Sequence, residues 1–222
     1  MKGVLSALTV VMLLGLLAAS PSPAAPKPSE FPVTWDLDVV LPQPLQSISV
    51  QLPGNPRPQT FWYLRYTVIN RTGEDQIFVP DFVLYTETGQ VLRAGQKTPG
   101  AVFAAIKKLY SDPLLTEMSG IIGTLRQGDD NAKDGVAIWP DFDPTAGKVD
   151  VFLSGISGDT ATITLPVPID MTKTDTKGKT TTVKANSVIL SKTLHLRYEV
   201  LGEAAARANS KAKLLERNWV MR

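Results

Sequence analysis

The stretch "GDDNAKDG", which ends at Gly135, comes nearest to a chemical signature in this sequence. A calcium loop of the EF-hand type needs oxygen ligands at positions 1, 3 and 5, glycine at position 6 and a bidentate acid at position 12. If Gly135 takes position 6, then Asp130, Asp134 and Asp141 take positions 1, 5 and 12. Position 3 falls on Ala132, whose side chain has no oxygen. The pattern therefore favours a turn between strands, and a calcium site is the alternative.

A second pair of acids, Asp141 and Asp143, lies in "WPDFDP". Two carboxylates can divide the acid and base roles of glycoside hydrolysis. The flanking Pro140 and Pro144 indicate an irregular loop, which is a poor platform for a catalytic pair. We expect a turn here, with a carbohydrate-active hydrolase as a further alternative.

Other catalytic patterns are missing from the sequence. His195 is the only histidine, so a pair of histidines for zinc is excluded, and no G-x-S-x-G elbow accompanies it. Ser210 and Lys213 match S-x-x-K, but the partner motifs of that class are absent. There is no glycine-rich phosphate loop and no dinucleotide fingerprint. The sequence predicts no catalytic residue, no cofactor and no metal ligand.

The elements that would position any site are strands, because apolar residues recur at every second position. In "FWYLRYTVIN", Trp62, Leu64, Tyr66 and Val68 share one face. The segments "KVDVFLSG", "ATITLPV" and "TLHLRYEV" alternate in the same way, and the last places His195 on the outward face. Half-solvated strands of this kind are typical of antiparallel sheets and sandwiches.

Three segments depart from this alternation. A helical insertion is predicted near 98–118, with Thr98 and Pro99 at its start and a second short helix opening at Asp112. A surface helix is expected over "GEAAARANSKAKLLE", before a last short strand in "NWVMR". The Thr- and Lys-rich "DMTKTDTKGKTTTVKANS" indicates a solvated hairpin whose lysines protect a sheet edge, or alternatively a basic finger. No aromatic residue lies between Asp170 and Leu194, so a base-stacking surface is not expected there.

The first 24 residues resemble a secretory signal peptide, with Lys2 before an apolar run and small residues at the end. Cleavage is expected after Ala24, and the apolar run is shorter than the roughly 20 residues that a membrane span requires. Residues 25–33 are expected to form a Pro-rich flexible linker, and 34–222 one domain.

The chain has no cysteine, so disulfides and thiolate metal sites are impossible. The formal net charge of +2 gives no strong field that would attract nucleic acid or an anionic membrane. A domain without disulfides depends on its own apolar core.

The run "YLRYTVINRTGEDQIFVPDFVLYTETG" resembles the immunoglobulin-like sandwich domains of exported bacterial proteins. The pieces "DNAKDGVAIWPDFD", "VDVFLSGISG" and "NWVMR" are similar to small exported proteins without an assigned activity. This resemblance implies a fold and a compartment, and it brings no catalytic residues.

The sequence as a whole predicts a mainly β protein, an antiparallel immunoglobulin-like β-sandwich with a short helical insertion. We expect a non-catalytic exported protein, either periplasmic, in the cell envelope or secreted, that binds or scaffolds another macromolecule. Its expected partner is an envelope protein or polysaccharide and not a nucleic acid, and no membrane span remains after signal cleavage. A calcium-dependent binding module is the first alternative.

Overall fold

The computed structural model describes most of the chain. The described residues are 26–28, 34–175, 178–200 and 207–222. The predicted signal peptide and most of the predicted linker lie outside them, and so does the beginning of the predicted C-terminal helix.

The described residues form a mainly β structure with several antiparallel sheets, none of which is closed. The strands are β1 (Asp38–Val40), β2 (Gln46–Val50), β3 (Gln59–Ile69), β4 (Gln76–Phe78), β5 (Asp81–Thr86), β6 (Val91–Arg93), β7 (Thr116–Glu117), β8 (Gly123–Leu125), β9 (Lys133–Pro140), β10 (Lys148–Ser154), β11 (Thr160–Thr174), β12 (Thr180–Glu199) and β13 (Lys213–Met221). The helices are α1 (Gly100–Tyr110) and α2 (Met118–Ile121).

The long strand β3 organises a five-stranded sheet. β9 pairs antiparallel with one side of β3 and places Trp139 opposite Trp62. β1 and β2 pair with two ends of β3, and β7 adds to β9 in parallel. The alternating apolar residues of β3 thereby lie on one face of this sheet and belong to the main apolar cluster.

The second sheet has six strands and is organised by β12. The C-terminal part of β12 pairs with β10 and β13, so that His195 lies between Phe152 and Asn218. β10 also pairs with β5, and β5 turns into β6 through Gly89. Gly89 has a φ of 91°, a backbone conformation that glycine adopts without strain in a tight hairpin turn. The N-terminal part of β12 pairs with β11.

The two larger sheets face each other across a shared apolar core. Phe82 of β5 contacts both Tyr66 of β3 and Trp139 of β9, with ring centroids 4.7 Å and 6.3 Å apart. Trp62, Leu64, Val151 and Leu196 are fully buried in the same cluster. Burial of each such side chain contributes about 1.5–3 kcal/mol, so this layer dominates the stability of the fold.

Helix α1 covers the opposite face of the five-stranded sheet. Val102 and Ile106 of α1 are fully buried in a second cluster with Tyr63, Val136 and Ile138. The sheet is therefore covered on both faces in this region, which explains why "GVAIW" is continuously apolar and does not alternate.

Two predicted helical segments differ from the structure. The prediction of a second helix that begins at Asp112 is wrong. The Asp112 carboxylate accepts hydrogen bonds from the backbone N–H groups of Leu114 and Leu115 in a turn, and β7 follows that turn. The helix expected near the C-terminus is wrong from Lys213 onward, where β13 pairs with β12. The free edge of β12 provides a full ladder of hydrogen bonds, and this tertiary pairing outweighs the helical propensity of the segment.

Candidate functional site

The three acids of the proposed calcium loop do not come together. Asp130 lies in a 3₁₀ turn before β9, Asp134 is the second residue of β9, and Asp141 follows the end of that strand. Asp134 and Asp141 are seven positions apart on an extended chain, which amounts to about 23 Å. In the described part of the chain, no group of three acidic or histidine side chains is placed to hold a metal ion.

The "GDDNAKDG" stretch instead ties neighbouring turns together. Asp129 accepts two hydrogen bonds from Arg71, at 2.7 Å and 2.9 Å, and Arg71 also contacts Asp38 of β1. These hydrogen bonds hold the pKa of Asp129 below its ordinary value. The expected turn between strands is what the structure contains.

Gly135 has a packing role of its own. A Cβ atom there would overlap the ring of Tyr66 and come within 2.8 Å of Ile121 Cδ1. Glycine is therefore required by the close approach of an aromatic ring from β3, and not by the geometry of a metal loop.

The pair Asp141 and Asp143 is occupied by structural hydrogen bonds. Trp62 Nε1 donates to Asp141 Oδ1 at 2.8 Å, which fixes a fully buried indole. Asp143 Oδ1 accepts from the backbone and the hydroxyl of Thr145. The Thr145 hydroxyl, followed by the Thr145 backbone N–H and Thr88, lowers the pKa of Asp143. A carboxyl held ionised in this way is unsuited to donate a proton to a glycosidic oxygen.

His195 is on the outward face of its sheet, as the alternation predicted, but neighbours cover it. Its ring stacks on Phe152 with centroids 4.7 Å apart. Nε2 lies 2.6 Å from Asp150 Oδ1, and Nδ1 lies 2.8 Å from Asn218 Oδ1. Both ring nitrogens are engaged by an acid and an amide, and no serine takes part in these contacts. The arrangement supports the sheet and is not a nucleophilic triad.

Trp219 and Asn70 also have structural roles. Trp219 is partly buried against the core, with Lys192 Nζ 5.0 Å from its ring centre. Asn70-Arg71-Thr72, which follows β3, matches a glycosylation sequon, but the side-chain amide of Asn70 is buried and donates to the carbonyl oxygens of Glu74 and Leu125. That amide is not accessible for sugar attachment in the folded protein.

The prominent surface feature is a two-stranded arm, formed by β11 and residues 180–190 of β12. These residues pair with each other from Thr160 opposite Ser191 to Thr174 opposite Thr180. At 15 residues, β11 corresponds to a ribbon roughly 50 Å long. The arm leaves the six-stranded sheet where β10 and β13 end.

The arm carries apolar side chains that the described residues leave uncovered. Val167 is 69% exposed and Ile189 is 71% exposed. Cross-strand neighbours such as Met171 and Val183 are also exposed. Between Thr160 and Leu190, with the connection of the two strands included, the sequence has four lysines and two aspartates. The combination is an apolar ribbon with a basic tip.

One edge of the arm is open and in line with β13. Ser191 exchanges both of its backbone hydrogen bonds with Arg222, just beyond β13. Because backbone groups alternate sides along an antiparallel strand, Ile189 and Ser187 direct their N–H and C=O groups to the same edge. The opposite edge, on β11, is interrupted by a bulge and by Pro166 and Pro168, which have no N–H to donate.

A cavity of about 370 Å³ lies between α1, α2 and the five-stranded sheet. Phe103, Val136 and Ile138 are among the apolar residues that line it, and Glu117 and Ser119 are among its polar residues. Its volume is at the lower end of the range for small-molecule sites.

Fold and surface together define a mainly β protein with a long, partly apolar arm. Comparison with protein-family models, with curated proteins and with solved structures gave no match for this chain. Neither helix in the described ranges has the length and hydrophobicity that crossing a bilayer would require.

Proposed function

We propose that this is a non-catalytic, exported protein of the bacterial envelope or periplasm, which binds or scaffolds another macromolecule through its arm. In this proposal the two facing sheets are an immunoglobulin-like sandwich that serves as the support. The arm is the binding element, and the observation that carries the proposal is its exposed apolar surface beside an open strand edge.

Exposure of the arm's apolar residues supports a binding role. Monomeric proteins rarely leave contiguous apolar patches uncovered, and such patches commonly mark interaction surfaces. The residues of a ribbon that extends away from the core lose side-chain and backbone entropy on folding, and they bury little apolar surface to compensate for that loss. Contact with a partner would provide that burial.

The open edge indicates how a partner would bind. An extended strand of another protein can add to residues 187–189 of β12 and continue the line of β13 by β-augmentation. Thr, Val and Ile side chains predominate on this strand and suit a pleated interface. The lysines near the tip, including Lys173 and Lys179, favour a partner with acidic residues beside its apolar strip.

The placement in the envelope rests on the N-terminal sequence. A single lysine, an apolar run and small residues before Ala25 have the order of a secretory signal. The absence of cysteine is compatible with this placement, since such a domain is insensitive to the redox state of the compartment.

The test is to alter the arm and measure partner capture. Ile189→Asp would introduce a charge on the apolar surface, and Ser187→Pro would remove an outward N–H without removing a bond of the hairpin. Each tagged variant would be expressed in the native host and cross-linked in the envelope. Both variants are expected to lose at least tenfold of the partner signal seen with the wild type.

Leu114→Asp is the matched control, because Leu114 is 73% exposed but lies on the body. It is expected to retain the partner signal. Equal capture by the arm variants and the wild type, with all proteins folded by circular dichroism, would rule out the arm as the binding element.

The apolar cavity supports a second candidate function, the binding of a small apolar molecule. Ile138→Trp would fill part of the cavity, whereas Ile77→Trp would add the same side chain at an exposed position on β4. Saturable binding of a fluorescent apolar probe is expected for the wild type and Ile77→Trp and not for Ile138→Trp. A probe that binds all three proteins equally would exclude the cavity as its site.

A further inference from the structure

A lysine is buried at the root of the arm between two aspartates. Lys192 is 2% exposed, and its Nζ lies 2.6 Å from Asp36 Oδ2 and 3.6 Å from Asp159 Oδ2. Asp36 precedes β1, Asp159 immediately precedes β11, and Lys192 lies in β12. Three distant segments of the chain therefore meet at one amine.

The ion pair leaves one carboxylate oxygen unsatisfied. Asp36 Oδ1 is buried and has no hydrogen-bond partner among the described residues. An unsatisfied oxygen on a buried carboxylate is costly, and a buried ion pair stabilises little unless its remaining positions are filled. Loss of both charges would remove most of this cost.

We propose that Lys192 and Asp36 become joined by an intramolecular amide bond. One proton passes from the Lys192 ammonium to a carboxylate, and the nitrogen lone pair then attacks Cγ of Asp36. The C–O bond to Oδ2 breaks, and that oxygen leaves as water with two protons that the ammonium originally carried. An ammonium and a carboxylate are converted to an amide and one water, and no oxidant or co-reactant is needed.

Asp159 is placed to move the protons in this reaction. Its Oδ1 accepts from the backbone N–H of Thr34 at 2.7 Å and from the Thr34 hydroxyl at 3.0 Å, which fixes the plane of the carboxylate. Its Oδ2 lies 3.6 Å from Lys192 Nζ. It takes one proton from the Lys192 nitrogen before the attack and a second one after it, and it passes both in turn to Oδ2 of Asp36, which departs as water.

The backbone holds the reacting groups in register. Lys192 N–H donates to the Asp159 carbonyl oxygen at 2.9 Å, and Asp36 forms a β-bridge with Ser157. Gly158 allows this approach, because a Cβ there would come within 2.5 Å of Thr34 Oγ1 and Trp35 Nε1. Groups fixed at near-contact distance react with effective molarities on the order of 10⁵ M or more, which makes a slow amide formation accessible.

The amide would link the segment before β1 to β12. A covalent tie between positions this far apart restricts the unfolded chain much as a disulfide does. A cysteine-free chain would gain in this way a cross-link that reducing agents do not break.

The experiment is intact mass spectrometry of the purified, denatured protein. The wild type is expected to weigh one water molecule less than its processed sequence, and proteolysis is expected to release a branched peptide joining Asp36 to Lys192. Lys192→Arg keeps the positive charge but is expected to show its full sequence mass. Lys184→Arg on the arm is the matched control and is expected to keep the loss of water.

Asp159→Asn tests the proton-transferring role. It is expected to fold, by circular dichroism, and to show the loss of water in less than a tenth of the molecules. A folded wild type with its full sequence mass would overturn the cross-link, and complete cross-linking in Asp159→Asn would overturn the role of Asp159. Neither result depends on the binding function proposed for the arm.

Discussion

Acidic residues in this protein act mainly as hydrogen-bond acceptors that fix other side chains. Asp141 fixes the indole of Trp62, Asp129 fixes Arg71, and Asp150 binds both His195 and Arg197. Burial raises the pKa of Asp150, but the hydrogen bonds from Arg197 and His195 outweigh it, so the pKa lies below its ordinary value. Asp141 and Asp143, the two acids that the sequence offers as a catalytic pair, thus each accept hydrogen bonds with a structural role.

The lowered pKa of Asp150 predicts a pH-dependent contribution to stability. An acid whose pKa is depressed by folding stabilises the protein above its unfolded value of about 3.9, and this contribution is lost as the pH falls through the folded value. Asp150→Asn is therefore expected to lower the free energy of unfolding at pH 7 and to matter less at pH 3. Urea denaturation at both pH values measures this difference.

Asp81→Asn provides the comparison for Asp150→Asn. The Asp81–Arg93 pair is exposed, and exposed pairs contribute about 0–1 kcal/mol. A loss of stability for Asp150→Asn that is the same at pH 3 and pH 7 would contradict the role assigned to its charge.

The close contact at Gly135 gives a second prediction. Gly135→Ala is expected to cost about 1–3 kcal/mol, because the new Cβ would displace the Tyr66 ring inside the core. Gly100→Ala, at the start of α1, meets no atom within 4 Å and is expected to be neutral or slightly stabilising. Chemical denaturation of the two variants distinguishes them, and similar midpoints would show that Tyr66 has room to move.

At the scale of elements, the strands with clear alternation could be predicted from sequence, and the others could not. β10 buries one face as its pattern indicates, and β3 and the C-terminal part of β12 bury the predicted face together with some residues of the opposite face, such as Tyr63 and His195. "ATITLPV" has the same alternation but lies in the arm, where Ala161, Ile163 and Leu165 are only half-buried and Val167 is exposed. Alternation reports that a face is apolar, but it does not report whether another sheet is there to cover that face.

The candidate site was only partly visible in the sequence for a related reason. The hairpin over "DMTKTDTKGKTTTVKANS" was predicted from its Thr and Lys content. Its continuation back to Thr160 and forward to Leu190 was not, since those residues pair across a bulge. The cluster around Lys192 was missed because its members are far apart in the sequence. Lys192 and Asp36 are separated by 156 positions.

The arm is expected to be the first part of the protein that a protease cuts. Its hydrogen bonds are exposed and it has few buried contacts, so local opening there costs less than opening of the core. Limited trypsin digestion should cleave first after Lys173, Lys179 or Lys184 and leave the body intact for longer. Mass spectrometry of early fragments identifies the sites, and a first cut within 34–158 would contradict this order.

At the scale of the whole molecule, the main prediction concerns the processed chain. If the first 24 residues are a signal peptide, the protein recovered from the envelope fraction begins at Ala25. N-terminal sequencing of the native protein checks this directly. A chain that retains Met1 in the cytoplasmic fraction would contradict export and would leave the binding role of the arm to be judged separately.

The order in which strands pair along the chain has a consequence for the time at which the protein can fold. β3 pairs with β9, β5 with β10, and β10 with β12, and in each pair the second strand is synthesised well after the first. Neither large sheet can therefore be completed until most of the polypeptide has been made. Contacts between distant positions close slowly, because loop entropy is lost before any pairing is gained. A nascent chain with this topology remains unfolded for longer. Channels that translocate polypeptides in an extended form require an unfolded chain.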